Sequence, residues 1–201
     1  MSAALDRLAS GAYPILGRAL HQHEIESFGK YLDLLVKWQR VHRLVGSTEP
    51  EWVVENLFLD SLLFLRVLPD DVISIADLGS GAGFPGIPIK IVRPELEVAL
   101  IEARQRRVSF LLTVVRELAL TGIRVVGNRA EDAGLTGFGA VVMRCAGNAE
   151  QLLCDAAGLA EPGGLVIVSG PPAAHELNRG TWVDVPGVRP GLTRRFVVHR
   201  T

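Results

Sequence analysis

Three glycines alternate at Gly79, Gly81 and Gly83, and an acid, Asp77, stands two residues ahead of the first. Glycine lacks a Cβ, so such a stretch can turn tightly and bring backbone close to a bound molecule. The preceding run, Val72-Ile73-Ser74-Ile75-Ala76, is short, apolar and β-branched, and reads as a buried parallel strand. The following run, Ile87-Pro88-Ile89-Lys90-Ile91-Val92, reads as a short helix stopped by Arg93-Pro94. Strand, glycine turn and helix together open a nucleotide-type α/β domain, whose ligand sits beyond the carboxyl end of the strand. Glu102 ends a second strand where an acid can bond ribose hydroxyls. Arg144 ends a fourth, where a charge at the cleft edge requires a ligand or an ion-pair partner.

Two ligand classes compete for the turn. Gly81-Ala82-Gly83-Phe84-Pro85-Gly86 fits the dinucleotide pattern G-x-G-x-x-G, a weak signal by itself. A dinucleotide rests its pyrophosphate on free N–H groups at a helix N-terminus, and Pro85 and Pro88 remove two such donors here. Acidic-x-G-x-G-x-G instead resembles motif I of class I methyltransferases. Their ligand, S-adenosylmethionine, carries an ammonium and a sulfonium and no phosphate, which suits a carboxylate at Asp77.

Composition sets the outer bounds. At 201 residues, 48% hydrophobic and 21% charged, the chain is an ordinary globular protein with room for one sizeable domain and an appendage. Cys145 and Cys154 are its only cysteines, so there is no disulfide framework or zinc pattern, and no metal is expected. No leader segment and no apolar run of membrane-spanning length is present, so a cytoplasmic protein without a membrane partner is expected. Net charge is −1, yet residues 179–201 hold five arginines against Asp184 alone, which suits a polyanionic partner or a solvated strand. Arginines outnumber lysines eighteen to three, favouring planar, bidentate donors.

The elements that must position these residues follow in order. Residues 1–70 read as an N-terminal helical cap. It holds a short helical piece broken at Gly11-Ala12-Tyr13-Pro14, a helix from Glu24 to His42 with Ile25, Phe28, Leu32, Leu35 and Val36 on one face, and a third from Glu51 to Leu68. Trp38 and Trp52 read as core. Arg40 and Arg43 flank the end of the second helix, where they favour its dipole or face a phosphate. Residues 71–201 read as one compact domain. Its strands are expected near 72–76, 97–102, 123–126, 140–143 and 165–169, with Pro162-Gly163-Gly164 as a turn before the last of these. Helices are expected over 104–120 and from an Asn148 cap to Ala160. Beyond a Pro171-Pro172 loop, two further strands, Trp182–Val185 and Arg195–His199, close a hairpin. The fold expected is α/β: a mostly parallel seven-stranded sheet with one antiparallel edge strand.

The extended motif is more specific than its glycines. Asp77-Leu78-Gly79-Ser80-Gly81-Ala82-Gly83-Phe84-Pro85-Gly86-Ile87-Pro88, Ile91-Val92-Arg93-Pro94 and Arg106-Arg107-Val108-Ser109-Phe110-Leu111 resemble the RsmG/GidB family. Leu59-Asp60-Ser61-Leu62, Arg129-Ala130-Glu131 and Pro162-Gly163-Gly164 extend the likeness over roughly residues 30–170. The resemblance implies a class I (Rossmann-like) fold and methylation of ring nitrogen 7 of a guanine in 16S ribosomal RNA, with S-adenosylmethionine as cofactor. It implies cofactor contacts at Gly79, Phe84, Ala130, Glu131 and Arg144, with Glu102 toward the ribose, and 16S ribosomal RNA or the small ribosomal subunit as partner. The family's Asn-Leu-Thr stands here as Arg43-Leu44-Val45, its Arg-His before Leu-Asp-Ser as Asn56-Leu57, and a Lys-Gly after the fifth strand as Ser169-Gly170. These departures concentrate on polar groups of the RNA side.

Nitrogen 7 of guanine offers an in-plane lone pair and carries no proton, so its methylation requires positioning and no general base. The absence of a catalytic dyad agrees with that chemistry. Amino-group methyltransferases show Asp/Asn-Pro-Pro-aromatic where this chain has Arg144-Cys145-Ala146-Gly147, and Cys145 lacks the neighbours of a nucleophile. For Arg144 three roles stand open: lining the cofactor, holding the target nucleotide, or pairing with Asp77 or Glu131. Arg104, Arg106 and Arg107 open a helix against its dipole, consistent with phosphate contacts or a solvated face. The rival functions are a diverged protein that binds S-adenosylmethionine or RNA without transfer, and a dinucleotide oxidoreductase.

Overall fold

The computed structural model describes residues 2–129, 131–132, 134–144, 149–170 and 176–201. Seven strands form one sheet in the order β3-β2-β1-β4-β5-β7-β6. They are β1 Ser74–Leu78, β2 Glu97–Ile101, β3 Ile123–Val126, β4 Phe138–Met143, β5 Ala160–Ser169, β6 Thr181–Pro186 and β7 Thr193–Arg200. β3, β2, β1, β4 and β5 run parallel; β7 pairs antiparallel with both β5 and β6. The antiparallel strand is therefore not at the edge, as expected, but one place in. The β6–β7 hairpin folds back so that its second strand, richer in fully buried residues (Phe196, Val197), takes the inner place. Pro162-Gly163-Gly164 is likewise no separate turn: it lies inside β5 as an irregularity where the pairing jumps from Phe138↔Ala160 to Ala140↔Leu165.

α5 (Gly86–Val92), α6 (Gln105–Glu117) and α7 (Ala149–Ala157) connect strands, and α1 (Ser2–Leu16), α2 (Gln22–Gln39), α3 (Pro50–Val53) and α4 (Asp60–Leu62) build the cap. A π-helical stretch, Val54–Leu59, joins α3 to α4, and a 3₁₀ turn, Leu63–Arg66, follows. α1 passes through the expected break at Gly11 and carries Pro14 in its last turn. Gly11 serves packing: a Cβ there would come within 2.5 Å of the Leu59 side chain, so the glycine lets α1 lie close to the π-helical stretch. At the start of α2 the buried Glu24 carboxylate accepts the His21 N–H at 2.7 Å and takes Arg18 at 2.6 Å.

Side chains alternate across each strand. Ile75, Leu100, Ala140 and Val142 join one core with the cap, α5 and α6; Ala76, Ala99, Val141 and Met143 join a second core with α7. Asp77 shares the parity of Ile75, and Arg144 that of Val142. Both groups therefore face the cap, whose helices and the central strands share one continuous hydrophobic core.

Candidate functional site

Beyond the end of β1 the chain makes its turn with Gly79, Gly81 and Gly83 all at positive φ, +73°, +61° and +99°. The Gly79 and Ser80 N–H groups donate to Ile101 O at 2.9 and 3.1 Å, tying the turn to the end of β2. The Glu102 carboxylate, buried at that end, accepts the Gly81 N–H at 3.0 Å and the Arg104 N–H at 2.8 Å. The second strand's acid thus reaches the first strand's turn. A side chain on Gly79 would meet nothing within 4 Å, so space opens beside the turn there.

Asp77 is fully buried. One carboxylate oxygen accepts the Gly86 N–H at 2.8 Å; the other is buried without a donor. Burial pushes its pKa up to about 7, against the pull of the Gly86 N–H and the Arg144 charge and with the help of nearby Glu102. Gly86 is a close-approach position, since a Cβ there would lie 2.6 Å from Leu100 and 2.8 Å from the Asp77 oxygen. At the start of α5 no donor is left over. Gly86 N–H goes to Asp77, Ile87 N–H goes to Gly83 O at 2.9 Å, and Pro88 has none.

From the cap, Tyr31 on α2 donates its hydroxyl to Ala82 O inside the turn, and its ring stacks on Phe84 at 5.4 Å and on Phe58 at 5.3 Å between centroids. Burial holds the Tyr31 phenol well above its ordinary pKa, so it remains a donor. Gly83 accommodates this clamp, because a Cβ would stand 2.4 Å from Ile87 and 2.8 Å from the Tyr31 hydroxyl.

Arg144 arches over the Phe84 ring, 5.9 Å from its centroid. Its Nε pairs with Asp60 at 3.1 Å and its Nη2 donates to Asn56 O; the partner carboxylate is neither Asp77 nor Glu131. Burial lowers the Arg144 pKa while Asp60 raises it. Asp60 also holds Arg194 of β7 at 3.0 Å. Next to this network Glu55 takes Arg7 and, at 2.6 Å, Arg189. Apart from Arg7, these groups border a cleft of about 420 Å³ between the cap and the β6–β7 hairpin, and half-exposed Trp52 stands at its rim and not in the core. Trp38 does pack on the core, edge-on to Phe110.

The structure thus gathers Asp77, Gly79, Gly81, Gly83, Phe84, Glu102 and Arg144 around one turn. Glu131 lies in an exposed turn after β3. Ala130, Cys145, Asn148 and Pro171-Pro172 lie outside the described residues. Sequence reasoning assigned no role to Tyr31, Asp60 or Asn56. Tyr31 falls on the same helical face as Phe28 and Leu35, and that periodicity marks it as inward-facing. Three of the five arginines of the basic C-terminal segment face carboxylates: Arg189 pairs with Glu55 and Arg194 with Asp60, each acid shared with a second arginine, and Arg195 pairs with Asp184 at 2.6 Å, while Arg200 donates to Gly163 O. Among the described residues no group of His, Cys, Asp and Glu is placed to hold a metal, and no helix is long and apolar enough to cross a membrane.

This strand order, with a glycine turn after β1 and an acid after β2, defines a class I methyltransferase fold. Solved structures agree on the fold: Pyrococcus horikoshii TYW2 in complex with MeSAdo superposes with a TM-score of 0.53 over 70% of this chain and 61% of its own at 14% identity. A tRNA methyltransferase from Aquifex aeolicus gives 0.51 over 70% and 67% at 15% identity. The chain belongs to the GidB family, rRNA small subunit methyltransferase G, whose model matches residues 24–181. Curated relatives of that name include proteins of Desulfitobacterium hafniense, 43% identical over 59% of this chain and 52% of theirs, and Sorangium cellulosum, 38% identical over 84% and 73%. The chain spans about half the length of the former.

Proposed function

We propose that the chain binds S-adenosylmethionine at the Gly79–Gly83 turn and methylates ring nitrogen 7 of a guanine in 16S ribosomal RNA, acting in the cytoplasm on the RNA or the small ribosomal subunit. The observation that carries the cofactor reading is Asp77: a fully buried carboxylate with one oxygen lacking a donor, beneath a turn with open space beside it. A cationic ligand suits such a group, and the residues present fit S-adenosylmethionine. Asp77 would balance its positive charge, Glu102 would use its remaining lone pairs on the ribose, and Gly79 leaves room for the backbone to approach. A pyrophosphate finds no free N–H at the start of α5, which disfavours the dinucleotide reading.

Bound there, S-adenosylmethionine would supply an electrophilic methyl group. The chain's part is placement. Arg144 cannot act as a base, because guanidinium keeps its proton. Its guanidinium would donate to the guanine O6, the neighbour of nitrogen 7 on the same base edge. Asp60 and Asn56 O fix the guanidinium over Phe84, and Asp60 offsets its charge while the purine becomes cationic.

Isothermal titration of the purified chain with S-adenosylmethionine and with NAD tests the cofactor reading. Saturable binding of the first alone is expected, and binding of NAD alone would refute it. Methyl transfer by the wild type to naked RNA and to small subunits separates the rival without transfer, and in Arg144→Ala cofactor binding is kept and methyl transfer lost. Equal transfer by the variant would remove Arg144 from the reaction.

A further inference from the structure

Among the described residues most arginines have a partner, and four arginines that meet at one cleft include three with no ion pair. Arg43, just after α2, comes together with Arg104, Arg106 and Arg107 at the start of α6 around a cleft of about 640 Å³. His42 borders the same cleft, its Nδ1 buried without a partner. No Asp or Glu lines it. Among the described residues Arg43, Arg104 and Arg106 make no ion pair, and Arg107 reaches only Glu102 at 3.5 Å. The residues come from two chain segments about sixty positions apart, so the gathering is a property of the fold.

The backbone adds to the positive field. α6 begins without a side-chain cap and without an acid in its first turn, leaving N–H groups and the dipole's positive end at the cleft. Like charges so arranged repel, and an anion in the cleft relieves that repulsion. The cleft adjoins the glycine turn: Arg107 Nη1 stands 3.7 Å from where a Gly81 side chain would begin. S-adenosylmethionine carries no phosphate and a single carboxylate, which one guanidinium such as that of Arg107 can take, so Arg43, Arg104 and Arg106 are left to serve the other substrate.

We infer that this cleft is a phosphate subsite that takes the phosphodiester backbone of the substrate RNA next to the target guanine. The inference rests on RNA being the methyl acceptor. It places the backbone contact at the α2–α6 junction and away from the basic C-terminal segment, where Arg189, Arg194 and Arg195 each face a carboxylate.

The test uses the full chain and a fluorescently labelled hairpin of 16S ribosomal RNA, with anisotropy measured over a salt series. The variants are Arg104→Gln/Arg106→Gln and Arg43→Gln. Arg116→Gln is the control, on the same helix but paired with Glu117 and outside the cleft. The double variant should bind RNA about tenfold more weakly. Its slope of log affinity against log salt should be shallower by about 1.4 if the contacted RNA is single-stranded. KM for RNA should rise while kcat, S-adenosylmethionine affinity and melting temperature hold, and the control should match wild type. Unchanged affinity and slope in both cleft variants would overturn the inference. So would loss of inorganic phosphate binding with RNA binding intact, which would mark a free-anion site. If no RNA is methylated by wild type yet the cleft variants lose RNA binding, the subsite stands and the catalytic reading falls.

Discussion

Replacing Asp77 by its amide, Asp77→Asn, should make the ligand-free protein more stable at alkaline pH and unable to hold its cofactor. The folded carboxyl keeps its proton to about pH 7, whereas the unfolded one titrates near 3.8. Between those values the folded state binds more protons than the unfolded state, so stability falls as pH rises through that window, and above pH 7 the loss is complete. The full cost of ionisation is about 4 kcal/mol, of which about 3 kcal/mol falls between pH 5 and pH 8. For a chain of this size that is roughly 6–12 °C in melting temperature. An amide still accepts the Gly86 N–H and does not ionise. The assay is thermal melting of wild type and variant from about pH 5 to pH 8, with and without S-adenosylmethionine. The two curves should diverge with rising pH, the variant melting higher, and only wild type should gain from ligand. Parallel pH profiles would show that Asp77 carries no burial penalty, and a full ligand-induced rise in the variant would remove it from the cofactor site.

Tyr31→Phe leaves Ala82 O without its donor and should cost about 1–2 kcal/mol while weakening S-adenosylmethionine severalfold; titration and melting check both, and unchanged cofactor affinity would free the cap from that role. Gly81→Val should stay folded but melt lower, because its Cβ meets nothing closer than 3.7 Å while a β-branched residue at +61° φ is strained, and the added bulk should abolish cofactor binding by calorimetry. Asp60→Asn deprives Arg144 and Arg194 of their shared charge; kcat should fall more than tenfold, cofactor affinity should hold, and stability should drop about 1–3 kcal/mol. Wild-type turnover in that variant would make the Asp60 pair purely structural.

The sheet was legible because buried parallel strands and glycine turns leave strong local signals. The position of β7 was not, because the hairpin's two strands carry similar local patterns and differ in how deeply the closed sheet buries them. The break expected at Gly11 failed for a related reason: only contact with Leu59, distant in sequence, shows that the glycine is there for packing. At the site, Asp77, the glycines and Glu102 could be read because their spacing belongs to one βαβ unit. The partner of Arg144 could not, since Asp60 sits in the cap, 84 positions earlier. The C-terminal arginines looked available in a local charge count, and the acids that occupy two of them, Glu55 and Asp60, come from the same distant cap. Arg43 and Arg104–Arg107 were read separately, and only the fold joins them.

Methyl transfer to ring nitrogen 7 of a guanine is measured by incubating the protein with labelled S-adenosylmethionine and small ribosomal subunits that lack the modification. The 16S RNA is then extracted, reduced with borohydride and treated with aniline, which cuts the chain at guanines methylated on that nitrogen. Incorporation of label with one new aniline cut is expected, and neither with Arg144→Ala. Label without a cut would place the methyl group on another atom, and no label with intact cofactor binding would make the chain a binder and not a methyltransferase.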